Sequence, residues 1–320
     1  MNSAHGIHHI TAVSSDAQGN LDFYTETLGL RLTKLSVNFD DPSVYHFYFT
    51  DRVGTPGSVL TFFPWEGVRR GRIGTSSVSA VPFAAPVGSL GQWVERLASS
   101  GARIGEITEL FGNKVLRFQD PEGLPLELVE TGLVGEEMQP WQSHETSEQM
   151  ALAGFGGVTL AVKDKAQTVE LLKDVLGYRE LGNEGAITRY VTGDGVASQT
   201  VDILELPNGA PGTGGAGTVH HVAFRAADED EQTRLSNAIS EFGLQITPLR
   251  DRNYFKSVYF HEPNGILFEI ATDGPGFMID ETEEKLGTAL KLPPQYESHR
   301  KRIEASLPPL VIAQTGIVAP

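Results

Sequence analysis

Cysteine is absent from the 320 residues. That excludes disulfides, a thiol nucleophile and thiolate metal sites together, so any metal must be held by nitrogen and oxygen. Positive charge is in short supply, with 25 Lys and Arg against 41 Asp and Glu for a formal net charge of -16. Binding to a phosphate backbone runs on Lys and Arg, so no nucleic-acid partner is expected. No apolar run approaches the roughly 20 residues needed to cross a bilayer. The opening MNSAHGIHHITAV has no basic region followed by an apolar core and a cleavage site; no membrane partner and a cytoplasmic location are expected. A 40% hydrophobic and 21% charged composition is that of a globular chain long enough for two domains.

The organisation emerges when the chain is compared with itself. Residues 117–129, RFQDPEGLPLELV, resemble residues 259–271, YFHEPNGILFEIA, at an offset of 142. Residues 23–30, FYTETLGL, resemble residues 171–178, LLKDVLGY, at an offset of 148. Each unit opens with a short apolar strand, continues with a helix (18–28, 89–99, 166–176 and 229–241) and closes with three strands. The chain therefore reads as α+β, with four βαβββ modules at about 7–64, 74–131, 154–206 and 217–272. The first pair falls within 1–135 and the second within 150–275, joined by a polar linker, and 276–320 forms a C-terminal extension.

Tandem βαβββ units with a FYxxxLGL helix end and a DPEG or EPNG turn resemble the vicinal oxygen chelate superfamily, over residues 5–272. That superfamily includes glyoxalase I, extradiol dioxygenases, fosfomycin-resistance enzymes and bleomycin-binding proteins. The resemblance implies cupped mixed sheets, and one fold hosting several chemistries.

Four of the nine histidines lie in two dipeptides, His8-His9 and His220-His221, each in the opening strand of a module. Strand neighbours face opposite ways. With Ile10, Ala12, Val222 and Phe224 facing the covering helix, His9 and His221 face the cavity. Glu269, between Phe268 and Ile270, does the same, and a buried carboxylate needs a cation. Two imidazoles and one carboxylate with open positions suit a non-haem Fe(II) oxygenase, and Mn(II) accepts the same ligands. At the repeat offsets His9 corresponds to Gly157, His221 to Ser79 and Glu269 to Glu127. One metal per chain is expected, with modules one and four sharing one sheet and modules two and three the other.

Glyoxalase I would need a further carboxylate from residues 58–63, which contain none. The pattern His8-His9-Ile10-Thr11, His220-His221-Val222, Arg252, Tyr259 and Glu269 is similar to the hydroquinone 1,2-dioxygenase branch. The resemblance implies that His9, His221 and Glu269 are metal ligands, surrounded by His8, Thr11, His220, Arg252 and Tyr259. It implies an extradiol-type ring-cleaving dioxygenase acting with O2 on a hydroquinone-type or catechol-type aromatic. By cavity parity Tyr259 can hydrogen-bond a phenolate, and Arg252 can hold developing negative charge. His8 and His220 have helix-facing parity and reach the metal only through a twist or bulge. His46 alternates with aromatics and reads as a packed strand residue or a pocket wall. The extension reads as a lid over the cavity, a surface strap or a subunit contact; a homo-oligomer is expected. A metal-dependent isomerase or thiol transferase, and a non-catalytic small-molecule-binding protein, are the alternatives.

Overall fold

The structure is a computed structural model and describes residues 4–143, 146–312 and 317–319. Module one comprises β1 (Ile7–Ser14), α1 (Ala17–Asp22), β2 (Arg31–Val37), β3 (Tyr45–Thr50) and β4 (Val59–Pro64). Module two comprises β5 (Ser77–Ala85), α2 (Leu90–Ala98), β6 (Arg103–Leu110), β7 (Asn113–Gln119) and β8 (Pro125–Glu130). Module three comprises β9 (Val158–Val162), α3 (Ala166–Glu170), β10 (Arg179–Glu184), β11 (Ile187–Val191) and β12 (Thr200–Glu205). Module four comprises β13 (Thr218–Ala226), α4 (Glu229–Glu241), β14 (Arg250–Asp251), β15 (Phe255–His261) and β16 (Leu267–Pro275).

The strands form two curled eight-stranded mixed sheets. One runs β14-β15-β16-β13-β1-β4-β3-β2 and the other β10-β11-β12-β9-β5-β8-β7-β6. Modules one and four therefore share one sheet, and modules two and three the other, as the ligand argument anticipates. Within each module the first strand runs parallel to the last, and two opening strands join antiparallel at the centre of each sheet.

Local chemistry explains the repeated landmarks. Asp16 caps α1 by accepting from the Gly19 amide at 3.0 Å, and Asp228 caps α4 by accepting from Glu231 at 2.8 Å. The helices expected over 18–28 and 166–176 are α-helical only at first. Their last turns, Phe23–Thr27 and Leu171–Val175, widen into π geometry. Both end at a left-handed glycine, Gly29 (φ 68) and Gly177 (φ 75). The DPEG and EPNG turns close alike, with the Gly123 amide donating to Asp120 O at 2.9 Å and that of Gly265 to Glu262 O at 2.7 Å.

The core lies between the helices and the convex sheet faces, where Ile10, Phe62, Phe224, Phe268 and Ile270 are fully buried. The extension, which includes α5 (Arg300–Glu304) and the strand pair β17 (Leu310–Ile312) and β18 (Ile317–Ala319), is a strap. It bridges to β2 at Leu35 and Leu290, accepts the Tyr45 hydroxyl at Pro308 O (2.9 Å) and bonds Gln18 through the Val311 amide (2.9 Å). Among the described residues none of the extension lines the cavity described below, although Phe277 packs against Tyr48, which does. Of the three readings offered for the extension, these contacts fit the surface strap. No helix among the described residues is long and apolar enough to cross a membrane.

Candidate metal centre

The concave face of the sheet built by modules one and four holds a cavity of about 330 Å³. His9, His221 and Glu269 converge at its base, all buried. His9 Nε2 lies 3.3 Å from His221 Nε2 and 3.3 Å from Glu269 Oε2, and His221 Nε2 lies 3.0 Å from the same oxygen. Ligand atoms at right angles around a cation, each bonded at about 2.1 Å, stand about 3.0 Å apart. The triangle therefore has the size of one face of a coordination octahedron.

The carboxylate carries a second sign. Glu269 Oε1 accepts from the Ser257 hydroxyl, but Oε2 is buried without a hydrogen-bond partner of good geometry, despite the two imidazole nitrogens beside it. A buried carboxylate oxygen without a hydrogen-bond partner is costly unless a cation sits beside it. Burial alone would raise the Glu269 carboxyl, yet the adjacent imidazoles outweigh it and hold it well below the usual carboxylate range. The donor set fits a divalent metal.

Two bulges resolve the parity of His8 and His220. Opposite Phe224 and Ala223, β1 contributes Ile7 and His9, leaving His8 as an extra residue. Opposite Thr11 and Ala12, β13 contributes His221 and Val219, leaving His220 extra. Each extra residue turns its ring beside its neighbour: His8 Nδ1 is 2.9 Å from His9 Nδ1, and His220 Nδ1 is 2.8 Å from His221 Nδ1. With Nδ1 of His9 and His221 so engaged, Nε2 is the nitrogen aimed at the centre of the triangle. Burial, reinforced by His9, pushes His8 well below the ordinary imidazole value, and burial brings His220 down to about 4; both act as neutral rings at neutral pH.

Arg252 and Tyr259 close one side of the cavity. Arg252 Nε donates to the Tyr259 hydroxyl at 3.1 Å, and its guanidinium lies 5.4 Å from the Phe39 and Tyr259 ring centres. Burial opposes the Arg252 charge, but Tyr259 and Asp40 outweigh it and hold the group above its ordinary value. Burial and Glu269 raise the Tyr259 phenol, which stays protonated. Thr11 lines the cavity and shares a 2.7 Å hydrogen bond with Thr61. Aromatic walls from Phe39, Phe63, Trp65 and Phe255 complete it.

Sequence reasoning passed over Tyr48 and Asp40 and left His46 open between a packed strand residue and a pocket wall. His46, Tyr48 and Asp40 line the same cavity, the first two from a strand whose apolar neighbours mask the alternation. Asp40 stands 3.5 Å from Arg252 at the mouth.

In the second sheet the corresponding positions hold different chemistry. Glu127 pairs with Pro82 across the parallel strands as Glu269 pairs with Ala223. Along the opening strands the offset is thus 141, and His221 is matched by Ala80 rather than Ser79, because module four carries one more residue between these strands. Glu127 accepts from Arg117 Nε at 2.8 Å, and Asp202 is held by Arg189 at 2.8 and 2.7 Å. There each buried carboxylate is matched by a guanidinium from the adjacent strand.

Residues 6–128 and 154–270 match the Glyoxalase/Bleomycin resistance protein/Dioxygenase superfamily. The chain belongs to that superfamily. It is 44% identical over 309 residues to "Putative ring-cleaving dioxygenase MhqO" of Bacillus subtilis, covering 97% of each chain. It is 35% identical over 314 residues to the chlorohydroquinone/hydroquinone 1,2-dioxygenase of Sphingobium indicum, covering 96% of this chain and 97% of that one. A crystal structure described as a putative dioxygenase from B. subtilis superposes with a TM-score of 0.93 at 43% identity, over 98% of this chain and 100% of that one. Glyoxalase I from Zea mays shares the fold at a TM-score of 0.62 and 18% identity, over 84% and 92% of the two chains.

Proposed function

We propose that this superfamily member is a ring-cleaving dioxygenase using Fe(II), held by His9, His221 and Glu269, to open a hydroquinone-type ring beside a hydroxylated carbon, the extradiol-type position. The observation that carries the reading is the three-atom triangle with its partnerless carboxylate oxygen. The near full-length likeness to proteins named as ring-cleaving and hydroquinone dioxygenases supports the substrate class. A ferrous ion there would supply a charged template at which a ring oxygen and O2 meet and exchange electrons.

The chain's own groups take the remaining tasks. His8 and His220 fix the orientation of the two ligand rings. Arg252, through Tyr259, stabilises negative charge on a ring oxygen in the cavity. Phe63, Trp65 and Phe255 exclude water and pack the ring faces. An isomerase of the glyoxalase type would need a fourth protein ligand, and the residue that pairs with Thr11 as Glu269 pairs with Ala223 is Thr61.

The test is anaerobic purification, Fe(II) reconstitution and oxygen-electrode assays with a panel of hydroquinones and catechols. One O2 consumed per ring opened, with both atoms of 18O2 in the product, is the expected result. Stoichiometric iron with no oxygen uptake on any of these rings would overturn the reading.

A further inference from the structure

The two modules of the metal-bearing sheet are related residue by residue, and the relation exposes a group to which no role has been given. Tyr259 pairs with Glu269 across β15 and β16, as Tyr48 pairs with Thr61 across β3 and β4. Two residues earlier on each strand stand Ser257 and His46. In module four this trio is Ser257, Tyr259 and Glu269, joined by the Ser257 hydroxyl on the carboxylate. In module one it is His46, Tyr48 and Thr61, and it forms an unbroken polar chain. The Tyr48 hydroxyl is 2.8 Å from His46 Nδ1, His46 Nε2 is 3.0 Å from Thr61 Oγ1, and Thr61 Oγ1 is 2.7 Å from Thr11 Oγ1.

All four residues are buried, yet Tyr48, His46 and Thr11 also border the cavity that the metal triangle opens into. A neutral imidazole has one N–H donor and one acceptor nitrogen, so His46 sets the direction of the whole chain. If Nε2 carries the proton, Tyr48 donates to Nδ1 and the spare donor appears at Thr11. If Nδ1 carries it, Tyr48 accepts from His46 and its own O–H points free. The aromatic packing of His46 between Tyr48 (4.1 Å between ring centres) and Phe63 (4.5 Å) holds the ring in place for either arrangement. Burial favours the uncharged ring that this pairing needs.

Resting on the ring-cleavage reading above, we propose that His46 is a positioning residue that orients the Tyr48 hydroxyl as a hydrogen-bond donor to oxygen on the metal face left open by Thr61. Module four thus supplies the metal carboxylate, and module one supplies a neutral donor at the related position. Tyr48 and Tyr259 flank the reacting oxygens from opposite modules.

The test uses the full-length Fe(II) enzyme with hydroquinone and O2 as probes, comparing wild type with Tyr48→Phe, His46→Phe, His46→Gln and the double Tyr48→Phe/His46→Phe. Tyr48→Phe removes one hydroxyl and keeps the ring, so it remains informative if a His46 variant fails to fold. The expected result is a fall in kcat of at least ~10-fold for Tyr48→Phe and for His46→Phe. Iron content and thermal midpoint should match wild type, and the Kd for hydroquinone bound anaerobically should stay within threefold. The double variant should be no worse than the more impaired single, as expected for groups acting as one unit, and His46→Gln should recover part of the rate. Unchanged kcat in Tyr48→Phe, additive losses, or a loss that follows iron content would overturn the assignment. A wild-type enzyme that consumes no O2 with any hydroquinone or catechol sinks the ring-cleavage reading, and with it the role given to Tyr48.

Discussion

Glu269 is the residue on which the centre turns, because it contributes the only charge among the three converging side chains. Glu269→Gln keeps the shape and removes that charge, so metal retained after dialysis is expected to fall by more than the ~10- to 100-fold typical of losing an outer partner. That smaller loss is the expectation for His8→Ala and His220→Ala, read by elemental analysis at graded chelator concentrations. A different carboxyl contributes to the dependence of stability on pH. Asp120, buried under the Tyr24 hydroxyl at 3.0 Å, has its pKa pushed by burial to about 6 from 3.8. Between those values the folded protein binds more protons than the unfolded chain, so stability falls as pH rises through that window, by roughly 3 kcal/mol from this group alone. Asp120→Asn should flatten the profile between about pH 4 and 6, measured as urea midpoints; an unaltered slope would refute the assignment. The three triangle residues were legible because strand parity and the repeat both single them out. Tyr48 was not, and His46 was left open between packing and pocket, since Phe47 and Phe49 on the opposite face hide the alternation.

At the scale of the strand, register decides what each side chain can do. The repeated modules could be read from the offsets, and the sharing of one sheet by modules one and four from the placing of the three candidate ligands. The bulges at His8 and His220 could not, because a bulge is a mismatch between two strands more than 200 residues apart in sequence and neither strand carries it alone. The same holds for the single-residue slip that puts Ala80, not Ser79, at the position of His221. Register also makes Thr61 a switch position, since it pairs with Thr11 as Glu269 pairs with Ala223. On the ring-cleavage reading proposed above, Thr61→Glu is expected to tighten metal retention against chelator while abolishing oxygen uptake, because a second carboxylate, acting as a fourth protein ligand, would occupy a position that O2 chemistry requires. Weaker retention would show that the new side chain does not reach the centre.

Across the whole molecule, the extension ties module one to the far edge of its own sheet. Lys34 on β2 is fully buried, its Nζ bonded to Asp280 at 2.7 Å, to Glu281 and to Phe277 O at 3.2 Å, while Asp280 also accepts the Tyr254 hydroxyl at 3.1 Å. Removing one partner of a buried ion cluster leaves the other charges uncompensated, at about 3–5 kcal/mol. Lys34→Met should therefore lower the denaturant midpoint and expose the region after residue 276 to limited proteolysis. A native digestion pattern would count against the clamp. Gly287 belongs to the same contact, for a Cβ there would run into the Leu32 carbonyl. The strap was only half legible, because its prolines and charges do not say which surface receives it.

The sheet pairing has a further consequence for how the protein is made. Residues 77–205 supply every strand of one sheet and are contiguous, so that sheet can close while the chain is still emerging from the ribosome. His9 leaves the ribosome early and then waits for Glu269, so the three-residue centre can be assembled only after residue 269 has been translated. A messenger truncated shortly before codon 269 would yield a fragment with an intact middle but without the carboxylate of that centre.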